Sequence, residues 1–351
     1  MLANWLRIVR NSDSSVKRRL IGIYAALLLL NVCGWAWALL AFHNHPVLLG
    51  TALLAYGFGL RHAVDADHIA AIDNVTRKLM QDGQRPVTVG FCFSFGHSSV
   101  VILASAGVAL ATTAMQQHFA DFKTAGGVIG TLVSASFLFA IALMNLFILH
   151  AIHRAWRRVR AGGRYEEEDF DLLLANRGLL ARLFRPMFRL IRRSWHMYPL
   201  GFLFGLGFDT ATEIALMGIS ATQAAQGMSP WSIMVFPLLF SAGMSLVDTL
   251  DGHLMLGAYG WAYMKPVRKI WYNMTITLIS ALVALVIGGI EALGLLADKL
   301  GLQGGFWDAV GSLNDSFGML GFMIVGIFAG SWALATLLYR VKGLDKLEIS
   351  R

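Results

Sequence analysis

Residues 61 to 68 read Arg61-His62-Ala63-Val64-Asp65-Ala66-Asp67-His68 and run on to Asp73, all inside an otherwise apolar stretch. Neutral imidazoles beside carboxylates are a donor set for a divalent first-row cation, and residue types alone leave Ni2+, Co2+, Zn2+, Fe2+ and Mn2+ open. The two cysteines, Cys33 and Cys92, lie in apolar runs. They offer no Cys-x-x-Cys site, no disulfide framework and no thiolate cluster suited to Cu(I). Further ionisable groups gather at His97, beside Ser98 and Ser99, at Asp209 and Glu213, and at Asp248, Asp251 and His253. At about 100° per residue, an unbroken helix sets His62, Asp65 and His68 on one arc and Asp67 about 140° from His62. Asp67 then reaches the same ion only if the helix distorts; otherwise it supports a ligand from behind. Arg61, one turn before Asp65, is placed to pair with it. Asp209 and Glu213 share a helix face, and so do Met244, Asp248, Asp251 and Met255, from which His253 points away. A purely structural ion network is the duller reading. A charge at the bilayer centre costs about 3 kcal/mol, however, and buried ion pairs return little stability. Asp209, Glu213, Asp248 and Asp251 can equally cap breaks in their helices.

The elements that must hold these residues are membrane helices. Of 351 residues, 56% are hydrophobic and only 14% charged, where soluble proteins carry about one quarter. Apolar runs of about 20 residues or more predict eight spans, at 20–42, 47–72, 87–112, 126–150, 199–222, 231–261, 271–297 and 317–341. The sixth is long enough to be tilted or broken. The first follows Lys17, Arg18 and Arg19 but is too long for the core of a secretory signal. With the N-terminus in the cytoplasm, 26 of the 29 Lys and Arg fall on the cytoplasmic side, leaving Arg61, Lys123 and Lys299. That asymmetry predicts both termini inside. The net charge of +8 is therefore a matter of topology, and nucleic acid is not a partner. The expected organisation is a single all-α polytopic domain over 1–351. A cytoplasmic N-terminus (1–19) precedes helices 1–4 (20–150), a basic cytoplasmic loop (151–198), helices 5–8 (199–341) and a cytoplasmic C-terminus (342–351). The loop mixes its arginines with Glu166, Glu167, Glu168, Asp169 and Asp171 and reads as a linker with a helix lying along the lipid surface.

Two stretches recur in order. Gly57-Phe-Gly-Leu-Arg-His-Ala-Val-Asp65 matches Gly205-Leu-Gly-Phe-Asp-Thr-Ala-Thr-Glu213, and Phe93-Ser-Phe-Gly-His-Ser-Ser-Val100 matches Phe240-Ser-Ala-Gly-Met-Ser-Leu-Val247. The copies lie three spans apart, an odd number, so helices 2–3 and 5–6 run in opposite senses. That predicts an inverted repeat, whose interface carries the substrate in many secondary transporters. Asp65 aligns with Glu213, one carboxylate in each half.

The segment from Arg61 to Ile69 resembles the signature of the nickel/cobalt transporter family, whose His-x4-Asp-His core falls on His62, Asp67 and His68. Phe93–Val101, Leu206–Glu213 and Gly243–His253 resemble the family's other signatures. The resemblance extends over nearly the whole chain. It implies a bacterial inner-membrane, multi-pass permease for Ni2+, with Co2+ as a further substrate, and no resident cofactor. It also implies a downstream role in hydrogenase maturation, and stresses Asp67 where periodicity favours Asp65. The expected metal residues are His62, Asp65, Asp67 and His68, with Arg61, His97, Asp209, Glu213, Asp248 and Asp251 in support. The chain has no Gly-x4-Gly-Lys-Ser/Thr phosphate loop, so its own ATP hydrolysis does not drive transport. A dication entering an inside-negative cell gains about 4.6 kcal/mol per 100 mV. Transport of another divalent metal such as Zn2+ is one alternative. An intramembrane metalloenzyme is another, and would need His-Glu-x-x-His or clustered His boxes that the sequence lacks.

Overall fold

The computed structural model describes residues 13–110, 128–129, 131–143, 145–147, 149–150, 153–154, 157, 191–206, 211–262 and 266–341. The described residues are helical throughout, apart from turns. In chain order the helices are α1 (Ser14–Phe42), α2 (Pro46–His62), α3 (Ala66–Gln81), α4 (Val89–Leu110) and α5 (Thr131–Phe147). They continue with α6 (Met197–Gly205), α7 (Ala211–Ala225), the one-turn α8 (Pro230–Ile233), α9 (Val235–Ala262), α10 (Pro266–Leu300), α11 (Gly305–Asp315) and α12 (Phe317–Val341). Four stretches are long and apolar enough to cross a membrane: Ser14–Phe42, Val89–Leu110, Pro230–Gly260 and Met274–Leu300. Two bent pairs, α2 with α3 and α11 with α12, raise the number of candidate spans to six. Of the eight expected runs, the fourth contains α5 and the fifth is divided between α6 and α7, with 207–210 outside the described residues. The termini at 1–12 and 342–351 and most of the 151–198 loop also lie outside them.

α1 shows why such helices stand at the edge. Its buried residues, Leu20, Ile23, Leu27, Gly34, Ala38 and Phe42, keep to one stripe, while Ile21, Leu28, Leu29, Val32, Leu39 and Leu40 are exposed. An exposed apolar face of that size is stable against lipid and costly against water.

The expected second span, 47–72, is not one helix. α2 ends at His62 and α3 starts at Ala66, bent by 50° to it. Asp65 is extended (φ −67°, ψ 149°), and its carbonyl accepts from the Ile69 amide as the first bond of α3. Asp is a favoured residue at such a start. Here its carboxylate makes no capping bond and turns instead to His62. α3 then runs through the middle of the protein, with most of its side chains buried, polar ones included. Asp73 accepts from the Tyr259 hydroxyl and, at 2.8 Å, from Ser280. The Arg77 guanidinium donates to Thr277 (2.9 Å), Asn74 (2.9 Å) and Asn145 (2.7 Å). Lys78 donates to the Ile191 carbonyl. Arg77 and Lys78, expected among the loop charges, are thus interior residues. Asn145 on α5, Thr277 on α10 and the Ile191 carbonyl answer a hydrogen-bonding demand that hydrophobicity alone does not reveal.

Two close crossings use the same residue types. Where α4 meets α6, a Cβ on Gly96 would strike the Tyr198 carbonyl, and one on Gly201 the Phe93 carbonyl. Where α9 meets α2, a Cβ on Gly243 would strike the Tyr56 carbonyl, and one on Gly59 the Phe240 carbonyl. Phe93 and Gly96 correspond to Phe240 and Gly243, 147 residues on, as the sequence match requires. Tyr56 and Gly59 correspond to Tyr198 and Gly201, 142 residues on, whereas the Gly57/Gly205 match is 148 residues apart. The six-residue difference falls between Gly201 and Glu213, where α6 gives way to α7.

These crossings predict a contrast among neighbouring glycines. Gly59→Ala and Gly201→Ala place a methyl against main chain that cannot step aside, which costs about 1–3 kcal/mol. Gly57, with open space beside it, is the control. Thermal unfolding in detergent is expected to fall by several degrees for the first two and to be unchanged in Gly57→Ala. An equal response in all three would show that the crossings tolerate a side chain.

Candidate metal centre

The break after His62 brings three imidazoles together. His62 closes α2, His68 lies in the first turn of α3 and His97 lies midway along α4. Their ring centroids form a nearly equilateral triangle with sides of 4.7, 4.8 and 4.9 Å. One ligand nitrogen from each lies within 4.8 Å of the others. All three are buried, at 2%, 0% and 3% exposure, so a bound ion would be shut off from solvent.

Each ring meets a carboxylate. His62 Nδ1 lies 3.2 Å from Asp65 Oδ2, with the Thr212 hydroxyl also at 3.2 Å. His68 Nδ1 lies 3.3 Å from both oxygens of Asp248. His97 Nε2 lies 2.9 Å from Glu213 Oε1 and 3.0 Å from His62 Nε2. One assignment of protons satisfies these contacts. Nδ1–H of His62 donates to Asp65, Nδ1–H of His68 to Asp248, and Nε2–H of His97 to Glu213. The tautomers follow from the network. Nε2 of His62, Nε2 of His68 and Nδ1 of His97 then keep their lone pairs. Nε2 of His68 and Nδ1 of His97 have no hydrogen-bond partner among the described residues. A neutral imidazole with its N–H given to a carboxylate is oriented and made more basic, which is how metal-binding histidines are commonly held.

The expected residues divide as follows. His62, Asp65 and His68 do meet, but across a break rather than along one helical arc. His97, expected in support, is a corner of the triangle. Asp67 sits half-buried in the first turn of α3, close enough to act electrostatically on His62 and His68. Arg61 is exposed and does not pair with Asp65, because the chain turns after His62 and carries the carboxylate inward. Glu213 and Asp248 serve the triangle directly. Asp251 lies one turn beyond Asp248 on α9, with Asp73 and Asp248 as charged neighbours. Asp209 lies outside the described residues. His253 points away from the triangle, bonded to the Tyr24 hydroxyl and the Val87 carbonyl, each at 2.8 Å. Thr212 was missed; its only signal was its place beside Glu213 in Thr-Ala-Thr-Glu.

If this set binds metal, then in purified protein His62→Ala, His68→Ala and His97→Ala each abolish high-affinity Ni2+ binding. Asp248→Asn, which misorients His68, weakens it by about 10–100-fold. His253→Gln leaves it within about twofold. Equilibrium dialysis with the radioactive metal reads all five, and undiminished binding in His97→Ala would remove it from the set.

The sequence model for a family described as high-affinity nickel-transport protein matches residues 48–338. The chain is 62% identical to a high-affinity nickel transport protein of Cupriavidus necator, over 97% of both chains. It is 52% identical to the hydrogenase nickel incorporation protein HupN of Bradyrhizobium diazoefficiens, over 91% of this chain and 83% of that one. It is 38% identical to the cobalt transport protein NhlF of Rhodococcus rhodochrous, over 93% and 94%. No solved structure matches.

Proposed function

Because the chain belongs to the high-affinity nickel-transport protein family, we propose that it carries Ni2+ inward across the bacterial inner membrane, with Co2+ as a second substrate. The observation that carries this reading is the buried triangle of His62, His68 and His97, each imidazole backed by its own carboxylate. Three nitrogen donors suit a borderline first-row dication, and among these ligands Ni2+ is bound more tightly than Co2+. Relatives named for nickel and one named for cobalt support the same pair of substrates. Asp65, Asp248 and Glu213 compensate the charge of the ion through the imidazole rings they bond, and Asp67 adds to the negative field. Nickel delivered in this way would serve nickel-enzyme maturation, in keeping with the name of the hydrogenase-linked relative.

The proposed topology has eight spans with both ends in the cytoplasm, and 151–198 as a cytoplasmic loop of a single membrane domain. The placement of Lys and Arg supports it. Helices 2–3 and 5–6 form an inverted repeat in this reading, supported by the paired glycine crossings of α4 with α6 and α9 with α2. Rocking of one half on the other would expose the triangle to either side in turn. The membrane potential is a sufficient driving force, because about 4.6 kcal/mol per 100 mV allows more than a thousandfold accumulation. Proton coupling is not required.

Accumulation of radioactive nickel at nanomolar supply, in cells carrying the chain, tests this reading. His62→Ala, His68→Ala and His97→Ala are expected to reduce uptake at least tenfold, and collapse of the membrane potential to stop it. Normal uptake by His97→Ala, or by cells without a potential, would refute the corresponding part. Ligand imidazoles bind a metal only when neutral, so protons compete with Ni2+ and uptake is expected to fall on acidification; a flat profile from pH 7 to 5 would contradict it.

A further inference from the structure

Phe93 and Phe240, counterparts in the sequence match, each lie against one corner of the triangle. The Phe93 ring stands perpendicular to His68 at 4.8 Å, and the Phe240 ring lies 5.4 Å from His62. Both are completely buried, and they belong to different apolar clusters. Along α4 the order is Phe93, His97, Val100, with Phe93 in one cluster and Val100 in the other. Along α9, Phe240 and Met244 precede Asp248 in the second cluster, and Tyr259 follows it in the first. The metal residues therefore occupy a polar waist between two apolar plugs. Each plug has a second aromatic layer. Phe204 packs on Phe93 at 5.3 Å, and Phe236 stacks on Phe42 at 5.5 Å behind Phe240. The main chain at both phenylalanines has no slack, since the Phe93 carbonyl abuts Gly201 and the Phe240 carbonyl abuts Gly59.

We propose that Phe240 and Phe93 are the outer and inner gates of the metal site, one from each half of the protein. The proposal rests on the transport reading above. A hydrated dication does not pass a packed apolar layer, so the path conducts only where a ring has swung aside or its crossing has shifted. Because each ring touches a different imidazole, the ion is held between the gates. Under the proposed topology Phe240 faces outward, since its cluster includes Phe42 at the far end of α1, whereas Phe93 shares its cluster with Leu79 near the end of α3.

Thr212, bonded to His62, gives a reporter that does not depend on transport. In a chain carrying Cys33→Ala, Cys92→Ala and Thr212→Cys, a membrane-impermeant methanethiosulfonate reagent is applied to right-side-out and to inside-out vesicles. Phe240→Ala is expected to raise labelling at least tenfold from the outer face and to leave the inner face unchanged. Phe93→Ala is expected to do the reverse. Phe240→Leu and Phe93→Leu, which keep most of the bulk, should stay near the parent rate. If the alanine chains do not accumulate in the membrane, Phe240→Val and Phe93→Val carry the same test with less volume lost. Unchanged rates, or a rise from the same face in both variants, would overturn the gates. Opening with the faces exchanged keeps the gates and overturns the orientation. Ni2+ is expected to slow labelling in every variant. Sided opening without that protection keeps the gates and overturns the metal reading.

Discussion

An imidazole has two nitrogens, and when it is neutral only one carries a lone pair. In an apolar interior the other must give its proton to an acceptor, or the ring is neither oriented nor satisfied. That requirement organises the centre of this protein. His62 finds its acceptor within its own segment at Asp65, His68 finds Asp248 on α9, and His97 finds Glu213 on α7. Three pairings draw α2, α3, α4, α7 and α9 to one point. A displacement of any of these helices that parts a histidine from its carboxylate leaves that ring unoriented.

The break at 63–65 follows from the same demand. A continuous helix can set His62, Asp65 and His68 along one side, yet it still spreads them over about two turns. Ending α2 at His62 and restarting at Ala66 with a 50° bend folds the rings of His62 and His68 to 4.7 Å. Asp65 starts the new helix through its carbonyl and spends its carboxylate on His62. Breaks of this kind are tolerated at membrane depth where protein surrounds them, and here Ala63, Asp65 and Ala66 are all buried. α3 can then carry Asp73, Asn74 and Arg77 through the interior, because Tyr259, Ser280, Thr277 and Asn145 answer them.

Much of this was legible in the residues. The apolar runs marked stretches that are helical, and the clustering of His and carboxylate in four of them marked residues that the structure brings together. Periodicity set Asp65 beside His62 and His68 and turned His253 away; the structure brings Asp65 to His62 across a break and bonds His253 to Tyr24 and Val87 instead. The break was not legible from hydropathy, because a window of about 20 residues averages across three. Its local signal was present in Asp65 as a helix start with Asp67 in the first turn. Arg77 was misread because charge asymmetry counts residues by position along the chain, whereas its burial depends on Asn145 and Thr277, 68 and 200 residues away. His97 was underrated for a related reason. One helix face shows which side chains share a direction, but three helices must be docked before their directions converge. The 148-residue match aligned Asp65 with Glu213, whereas the backbone crossing follows 142.

The donor set also bears on why such a site can let its ion go. A dication bound directly by three carboxylates in a medium of low dielectric would be held by Coulomb terms too large for rapid release. Neutral imidazoles bind through their lone pairs, and the carboxylates act through the rings, so each negative charge stands one ring's width further from the ion. Their field still offsets the cost of bringing a double charge into hydrocarbon. Asp65 follows the break, Asp248 lies on α9 and Glu213 on α7, so the compensating charges are spread over separate elements. In the proposed rocking of one half on the other, imidazole and carboxylate need not travel together. Parting His68 from Asp248 would lower the basicity of the ring and loosen the ion at that corner first, beside Phe93 and the buried length of α3. In this reading, affinity and release are set by one geometry, the distance between a ring nitrogen and the acid behind it.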